Sequence, residues 1–148
     1  MTKYKFIDNT PTLAVDIIVE TSIGIILIER KYEPFGFALP GGHVDKGESL
    51  ETAARRELFE ETKIEADFIT QFHAYSQPNR DPRRHVVSVV FLAQTNMIPK
   101  AADDVKKVHI INISKALTMA DKLAFDHHQI IADYACWKMD GKFPPSYR

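Results

Sequence analysis

The sequence predicts an α/β fold in which helices cover a mixed β-sheet. Two runs of β-branched residues lie near the N-terminus, a run of strong helix formers lies mid-chain, and an amphipathic helical pattern lies near the C-terminus. A chain of 148 residues has about the length of one domain, so we expect residues 1–148 to form a single domain. The composition, 45% hydrophobic and 26% charged, is that of a globular protein.

The predicted strands are segments rich in β-branched and aromatic residues, with turn residues between them. The first two are separated by Thr21 and Ser22 and are expected to form a largely buried hairpin. A short apolar stretch at 37–39 then stops at a Pro-Gly-Gly sequence. The predicted strands span residues 12–20, 23–29, 66–75 and 85–93, and residues 105–113 are expected to form another strand or an irregular edge.

Three segments are predicted as helices. Residues 48–62 consist mainly of strong helix formers, with Ser49 in position to cap the N-terminus. Residues 114–122 form a short second candidate, and residues 126–138 a third, with Asp126 available as its N-cap. The residues at helical spacing in the third segment are His127, Ile130, Ile131, Tyr134 and Ala135.

The charge of the chain is nearly balanced, which argues against some classes of function. Nineteen Lys and Arg residues stand against twenty Asp and Glu residues, for a formal charge of −1. Because nucleic acids and anionic membranes attract basic surfaces, we expect the protein to bind neither. The N-terminus lacks the apolar core of a signal peptide, and no apolar run approaches membrane-spanning length.

The single cysteine, Cys136, excludes an intramolecular disulfide and a multi-cysteine zinc site. A reduced cytoplasmic location is the expectation that follows. Cys136 itself is expected to be a small buried residue.

Along the first predicted helix, an apolar stripe continues into acidic residues. On a helical wheel, Glu57, Glu60 and Glu61 all lie within about 80° of Leu50. Carboxylates this close repel one another, and the helix dipole disfavours negative charge near the C-terminus. A divalent cation would neutralise the cluster, and oxygen ligands favour Mg²⁺ or Mn²⁺ over Zn²⁺. Periodicity alone also fits a solvated acidic face, but the glycine-rich LPGGHVDKGE loop before the helix favours a ligand site.

The stretch GHVDKGESLETAARRELFEETKI resembles the Nudix box, G-x5-E-x7-R-E-U-x-E-E-x-G-U with U aliphatic. Lys63 stands where the family has glycine, and we expect it to end the helix in the left-handed conformation at a cost of about 1 kcal/mol. Eight of the nine fixed positions match: Gly42, Glu48, Arg56, Glu57, Leu58, Glu60, Glu61 and Ile64.

The resemblance implies a Nudix-type αβα sandwich that uses Mg²⁺ or Mn²⁺ to hydrolyse a nucleoside diphosphate linked to another group X. Carried over by position, Glu57, Glu60 and Glu61 would hold the metal, helped by the Gly41 carbonyl. Three further box residues would have structural roles: Gly42, and Glu48 and Arg56, which would pair to orient the helix.

The general base that deprotonates the attacking water is assigned to Glu57 or Glu60. Acids on a later loop are the alternative, and here these are Asp103 and Asp104. Either aspartate could instead stabilise a turn.

The substrate is suggested by residues outside the box. Three arginines lie between Pro78 and His85, in a compact loop suited to phosphates. A proline 14 residues beyond the box resembles the mark of the ADP-ribose pyrophosphatase subgroup, as do the segments YSQPNRDPRRHVVSVVFLA, LAFDHHQII and PFGFALPGG. ADP-ribose, hydrolysed to AMP and ribose 5-phosphate, is therefore the predicted substrate.

Several residues are candidates for binding this substrate. Arg30 and either Arg80 or Arg84 would hold the phosphates. Either Phe37 or Phe35 would stack on adenine, with burial in the core as the alternative for both. Near the terminal ribose, the candidates are Asp126, with helix capping as its alternative role, and His127.

Three other functions compete with this one. A MutT-like hydrolase of oxidised nucleoside triphosphates and a NADH pyrophosphatase would keep the chemistry and change the substrate. A Nudix-like domain that senses ADP-ribose without hydrolysing it would lack turnover, but such sensors usually have an eroded box, whereas all three metal-binding glutamates are present here. A homodimer would be consistent with the resemblance.

Overall fold

The structure is a computed structural model that describes residues 10–102 and 105–144. These residues contain seven strands and three helices. The strands are β1 (Thr12–Glu20), β2 (Ile25–Arg30), β3 (Phe37–Ala38), β4 (Gly41–His43), β5 (Ile69–Tyr75), β6 (Val86–Gln94) and β7 (Val105–Ile111). The helices are α1 (Leu50–Thr62), α2 (Ile113–Leu117) and α3 (His127–Asp140).

The seven strands form one mixed sheet around β1. β1 pairs in parallel with β6 along its whole length, whereas its partners on the other side change along the strand. The predicted hairpin joins β1 to β2 only at Glu20 and Ile25, and β4 pairs antiparallel with β1 at 14–16. β1 and β2 are not paired before Glu20, and the glycines of β4 lie beside the middle of β1 instead.

Helices cover both faces of the sheet, and the side chains of β1 point alternately to one face and the other. Val15, Ile17 and Val19 pack with the buried face of α1, and Ile18 packs with α2 and α3 on the opposite face. The predicted αβα sandwich is confirmed. Within the described residues, no helix is both long enough and apolar enough to cross a bilayer.

The two ends of α1 follow the predictions. The Ser49 hydroxyl accepts a hydrogen bond from the Thr52 N–H at 3.1 Å, as an N-cap does. Lys63 adopts the left-handed conformation, with φ of 60°, and its N–H donates to the Phe59 carbonyl. The next residue, Ile64, is fully buried.

Other predicted boundaries differ from those observed. β2 begins two residues later than predicted, because Thr21 and Gly24 close a turn with a 2.7 Å backbone hydrogen bond. β5 begins three residues later, at Ile69. α2 ends at Leu117 rather than at residue 122, because the chain continues in turns whose hydrogen bonds span three residues.

The prediction that Cys136 is buried is wrong, because the residue is exposed on α3. It follows Tyr134 by two positions, about 200° around the helix, and Tyr134 is on the face that packs into the core.

Candidate active site

The acidic end of α1 is held against the glycines of β4. Glu61 is 6% exposed, and its Oε1 accepts a hydrogen bond from the Gly41 N–H at 2.7 Å. The Glu57 carboxylate packs against Gly42 so closely that a Cβ at position 42 would collide with it. Glycine at position 42 therefore lets Glu57 approach the backbone of β4, whereas a Cβ at position 41 would collide with the Val15 carbonyl and with Asp16 of β1.

Arg56 contacts most of the acidic side chains in this region. Arg56 binds Glu48 through Nε and Nη2, at 2.7 and 2.9 Å, and its Nη1 donates to Glu57 at 2.9 Å and to Glu60 at 3.2 Å. Asp45 lies 3.7 Å from the same guanidinium. Hydrogen bonds from Arg56 lower the pKa of Glu48 to about 2, and the pairing with Glu48 raises the pKa of Arg56. Arg56 thus compensates only part of the negative charge around it.

The donor set at this end of α1 fits a hard divalent cation. Within residues 10–102 and 105–144, no three His, Cys, Asp or Glu side chains already converge on a common metal position. Glu57 and Glu60 are instead turned to Arg56, whereas Glu61 is held by Gly41. All three groups offer carboxylate oxygens on adjacent turns, which is the ligand chemistry of Mg²⁺ and Mn²⁺. The predicted role of the Gly41 carbonyl stays a prediction.

A cleft opens on the other side of Gly41 and Gly42. It encloses about 70 Å³ between β1, β2, β4 and the loop before β6. Its charged and aromatic lining residues are Asp16, Arg30, His43, Arg80, Asp81, Arg83, Phe125 and His127. The carboxylates of α1 and the arginines of the cleft therefore lie on two sides of the same glycine pair.

Arg80 is not an open phosphate ligand as the sequence suggested, because it is buried in an ion pair. Its side chain is 3% exposed, and Nε and Nη2 donate to the Asp126 carboxylate at 3.0 and 2.7 Å. Asp126 precedes α3 but makes no side-chain capping bond, so the capping alternative is wrong. The two predicted substrate ligands bind each other in this structure.

Asp16 lies in a buried polar network below the cleft. It was not predicted as a site residue from the sequence. Ser88 donates to one Asp16 oxygen, and His127 Nε2 lies 3.5 Å from the other. His127 Nδ1 accepts the Leu39 N–H at 2.9 Å, so Nε2 carries the ring proton toward Asp16. Burial raises the pKa of Asp16, but His127, Arg80 and Ser88 outweigh it and hold that pKa below its usual value. The signal for Asp16 in the sequence is that it is an aspartate in the middle of a mostly apolar strand.

Arg30 and Arg83, which line the cleft, and Arg84, which follows Arg83 in the chain, have different surroundings. Arg83, which the sequence analysis did not single out, binds Asp81 through Nε and Nη2 at 3.0 and 2.8 Å. Arg84 is exposed. Arg30 Nε donates to the Pro34 carbonyl at 2.6 Å. Burial and the nearby charge of Arg83 lower the pKa of Arg30.

The aromatic candidates for adenine stacking lie apart from the cleft lining. The Phe37 ring packs against the core, with its centroid 5.2 Å from that of His109. Phe35 is 65% exposed. Stacking by either ring stays a prediction. Asp103 and Asp104 lie outside the described residues.

Comparison with known proteins assigns the family. Residues 10–134 match the NUDIX domain. The chain belongs to the Nudix family. It is 44% identical over 131 residues to the ADP-ribose pyrophosphatase of Methanocaldococcus jannaschii, a match that covers 86% of this chain and 75% of the relative.

Solved Nudix structures share the fold. The NUDIX domain of Shewanella oneidensis NrtR, in complex with ADP ribose, has a TM-score of 0.78 at 29% identity, covering 88% of this chain and 89% of that one. A bifunctional NMN adenylyltransferase/ADP ribose pyrophosphatase from Francisella tularensis, with AMP and a Mn ion, has a TM-score of 0.73 at 31% identity, covering 84% and 41%. The predicted family and fold are confirmed, and the enzyme class is that of a Nudix pyrophosphohydrolase, a class that uses a divalent cation.

Proposed function

We propose that this Nudix protein hydrolyses the diphosphate of ADP-ribose to give AMP and ribose 5-phosphate, with Mg²⁺ or Mn²⁺ as its cation. The observation that carries the proposal is the position of the α1 carboxylates and the arginine-lined cleft on two sides of Gly41 and Gly42. A diphosphate needs cationic groups around its oxygens, and the attack of water on it needs a base. The named activity of the Methanocaldococcus jannaschii relative supports the choice of ADP-ribose.

The acidic side would hold the cation and activate water. Glu57, Glu60 and Glu61, with the Gly41 carbonyl, are the proposed ligands. A bound divalent cation would neutralise charge on the diphosphate and lower the pKa of an attacking water. Glu57 or Glu60 would accept the proton of that water, and Arg56 orients both carboxylates through hydrogen bonds of 2.9 and 3.2 Å.

Three other residues of the box would support these ligands. Glu48 fixes the Arg56 guanidinium in a bidentate pair, and Arg56 in turn orients Glu57 and Glu60. Gly42 leaves the space that the Glu57 carboxylate fills. These contacts connect the loop before α1 to the proposed ligands.

The other side of the cleft would bind the organic part of the substrate. Arg30 and Arg84 are the proposed phosphate ligands, and Phe37 or Phe35 the proposed adenine partner. Asp126 would lie near the terminal ribose, and Arg80 would orient its carboxylate through the two hydrogen bonds between them.

The choice of base is tested by comparing kcat in Glu57→Gln, Glu60→Gln and Asp104→Asn. We expect the variant of the base within the box to lose at least about a hundredfold, whereas Asp104→Asn stays within about threefold of the unaltered protein. An inactive Asp104→Asn beside two active glutamine variants would move the base to the later loop.

The substrate is tested with ADP-ribose, NADH, diadenosine polyphosphates and 8-oxo-dGTP, each with Mg²⁺ or Mn²⁺. We expect kcat/KM to be highest for ADP-ribose. A higher value for 8-oxo-dGTP would make the protein MutT-like, and a higher value for NADH would make it a NADH pyrophosphatase. Tight binding of ADP-ribose without turnover would instead identify a sensor.

Further expectations belong to the same proposal. Residues 1–148 would act as one domain on a small nucleotide in the cytoplasm, without nucleic acid or membrane. A homodimer would be consistent with the family resemblance, and sedimentation of the purified protein would test it.

A further inference from the structure

Phe125 has a strained backbone at the edge of the cleft. Its φ is 55°, a left-handed conformation that costs a residue with a side chain about 1–2 kcal/mol. The flanking residues hold it there: the Ala124 N–H donates to the Phe37 carbonyl at 2.8 Å, and Arg80 binds the Asp126 carboxylate. Strain of this kind persists where the surroundings impose it, and it is frequent at ligand sites.

Two guanidinium groups lie over the Phe125 ring. The Cζ atom of Arg30 is 4.8 Å from the ring centroid, and that of Arg83 is 5.5 Å from it. A guanidinium within about 6 Å of an aromatic centroid is attracted by the ring, and the attraction grows as water is excluded. We name Arg30, Phe125 and Arg83 together the arginine clamp.

Both arginines of the clamp are fixed at one edge and leave the same donor group for a ligand. In the part of the chain that the structure describes, the hydrogen bonds of Arg30 use Nε and Nη2, to the carbonyls of Pro34 and Glu33. Those of Arg83 also use Nε and Nη2, to the buried carboxylate of Asp81. Each guanidinium therefore retains Nη1 donors for an anion.

The two positive charges repel each other. The carboxylate of Asp81 compensates Arg83 directly, whereas the hydrogen bonds that Arg30 makes within the described part of the chain go to neutral backbone carbonyls. Burial and the Arg83 charge lower the pKa of Arg30 by more than the nearby carboxylates of Glu61, Asp81 and Asp16 raise it. An anion between the arginines would relieve this repulsion, and the cleft they line also contains Gly41 and Gly42, next to the acidic end of α1.

We propose that the arginine clamp binds the diphosphate of the substrate, and that Phe125 is a positioning residue that holds both guanidiniums for it. Only the identity of the substrate rests on the proposed function. Arg83 and Phe125 thereby become part of the proposed site. Arg80, whose side chain is 3% exposed, supports the site through its pair with Asp126.

The test measures binding by calorimetry in the presence of EDTA, with ADP-ribose and inorganic pyrophosphate as separate probes. The variants are Arg83→Gln, Phe125→Leu, Phe125→Tyr and the double variant Arg83→Gln/Phe125→Leu. Phe68→Leu is the matched control, because Phe68 is 86% exposed and lies beside a different groove. The melting temperature of each variant is recorded alongside.

We expect Arg83→Gln to weaken the binding of both probes about 30-fold, as the loss of charge-assisted hydrogen bonds does. Phe125→Leu should weaken the binding of both probes about tenfold, because a leucine side chain has no aromatic ring to attract the guanidiniums. Phe125→Tyr keeps the ring and should bind the probes as the unaltered protein does. The double variant should lose clearly less than the product of the two effects, about 300-fold, because Phe125 acts through the arginines. KM for ADP-ribose should rise with these losses, with kcat within about threefold.

Equal pyrophosphate affinity in Phe125→Leu and Phe68→Leu would overturn the clamp. So would a Phe125→Leu variant that only melts earlier, or a fully multiplicative double variant. If the unaltered protein binds pyrophosphate through the clamp but does not hydrolyse ADP-ribose, the proposed substrate fails and the clamp stands. If Phe125→Leu does not fold, Arg83→Lys, which keeps the charge and loses the planar fork, must still weaken binding several-fold.

Discussion

The two sides of the Gly41–Gly42 pair balance their charges in different ways. On the α1 side, Arg56 alone contacts four carboxylates, at distances of 2.7 to 3.7 Å. On the cleft side, Arg80 and Arg83 each have a carboxylate of their own. Among the described residues, the carboxylates on the acidic side therefore outnumber the guanidinium that contacts them, which suits a cation from solution. On the basic side, Arg80 is buried in its pair with Asp126, whereas Arg83 binds Asp81 through one edge of its guanidinium only, so the loop offers a ligand fewer arginines than its sequence suggests.

The largest effect is expected on the acidic side, at Glu61. Replacing it by Gln keeps its size and a hydrogen-bond acceptor for the Gly41 N–H but removes the charge that a cation needs. We expect kcat to fall by more than a hundredfold with an unchanged fold, since even partners of metal ligands are worth about 10–100-fold. The assay is metal-dependent turnover of ADP-ribose, with circular dichroism to monitor folding.

The control for this variant is Glu65→Gln, which removes one negative charge from an exposed residue just after α1. It should leave kcat unchanged. Turnover that survives in Glu61→Gln would remove Glu61 from the proposed site and with it the asymmetry between the two sides.

The next effect distinguishes two arginines that look equivalent in the sequence. Arg80→Gln leaves Asp126 without its partner and places an amide where a buried guanidinium was, so we expect a loss of about 3 kcal/mol in unfolding free energy. Arg84→Gln, at an exposed position of the same loop, should change it by less than about 0.5 kcal/mol. Urea denaturation measures the unfolding free energy of both variants. Similar losses in the two would contradict the buried Arg80–Asp126 pair.

A smaller effect is expected where α1 ends. Lys63→Gly should raise the unfolding free energy by about 1 kcal/mol, because glycine adopts a φ of 60° without the steric cost that lysine carries. Lys63→Ala retains a Cβ and should give no such gain. If both variants have the same stability, the helix does not end in the left-handed conformation seen here.

The smallest effect is the pH dependence of the Glu48–Arg56 pair. The pKa of Glu48 is lowered from 4.5 to about 2 in the fold, so the pair stabilises the protein fully above pH 4.5 and loses that contribution as the pH falls toward 2. Thermal melting of Glu48→Gln should show its deficit above pH 4.5 and none near pH 2. A deficit independent of pH would show that the carboxylate charge contributes nothing.

The sequence predicted the two sides unequally well, for a physical reason. The proposed ligands on α1 follow one another at helical spacing, so a single local motif determines their relative positions, as it does the Ser49 cap and the left-handed Lys63. The cleft depends on contacts between distant parts of the chain: Arg80 with Asp126, and His127 with Leu39, 88 residues away. No local pattern reveals which carboxylate will meet which arginine.

The strands show the same distinction. β1 was predicted at its observed bounds because it is rich in β-branched and other apolar residues, but its exchange of partners from β2 to β4 depends on tertiary contacts. That exchange brings Gly41 next to Asp16 and so positions the whole site. The buried role of Asp16 follows from the same arrangement, since it faces α3 while its neighbours Val15 and Ile17 face α1.

The central claim is that the α1 carboxylates and the arginine-lined cleft act on one diphosphate. The direct test is ³¹P relaxation of a bound ADP-ribose analogue whose bridging oxygen is replaced by a methylene group, with Mn²⁺ added. We expect Mn²⁺ to broaden both phosphorus resonances strongly in the unaltered protein, and Glu61→Gln to abolish the broadening while leaving the metal-free affinity for the analogue unchanged. Broadening that persists in Glu61→Gln, or that never occurs in the unaltered protein, would contradict the account.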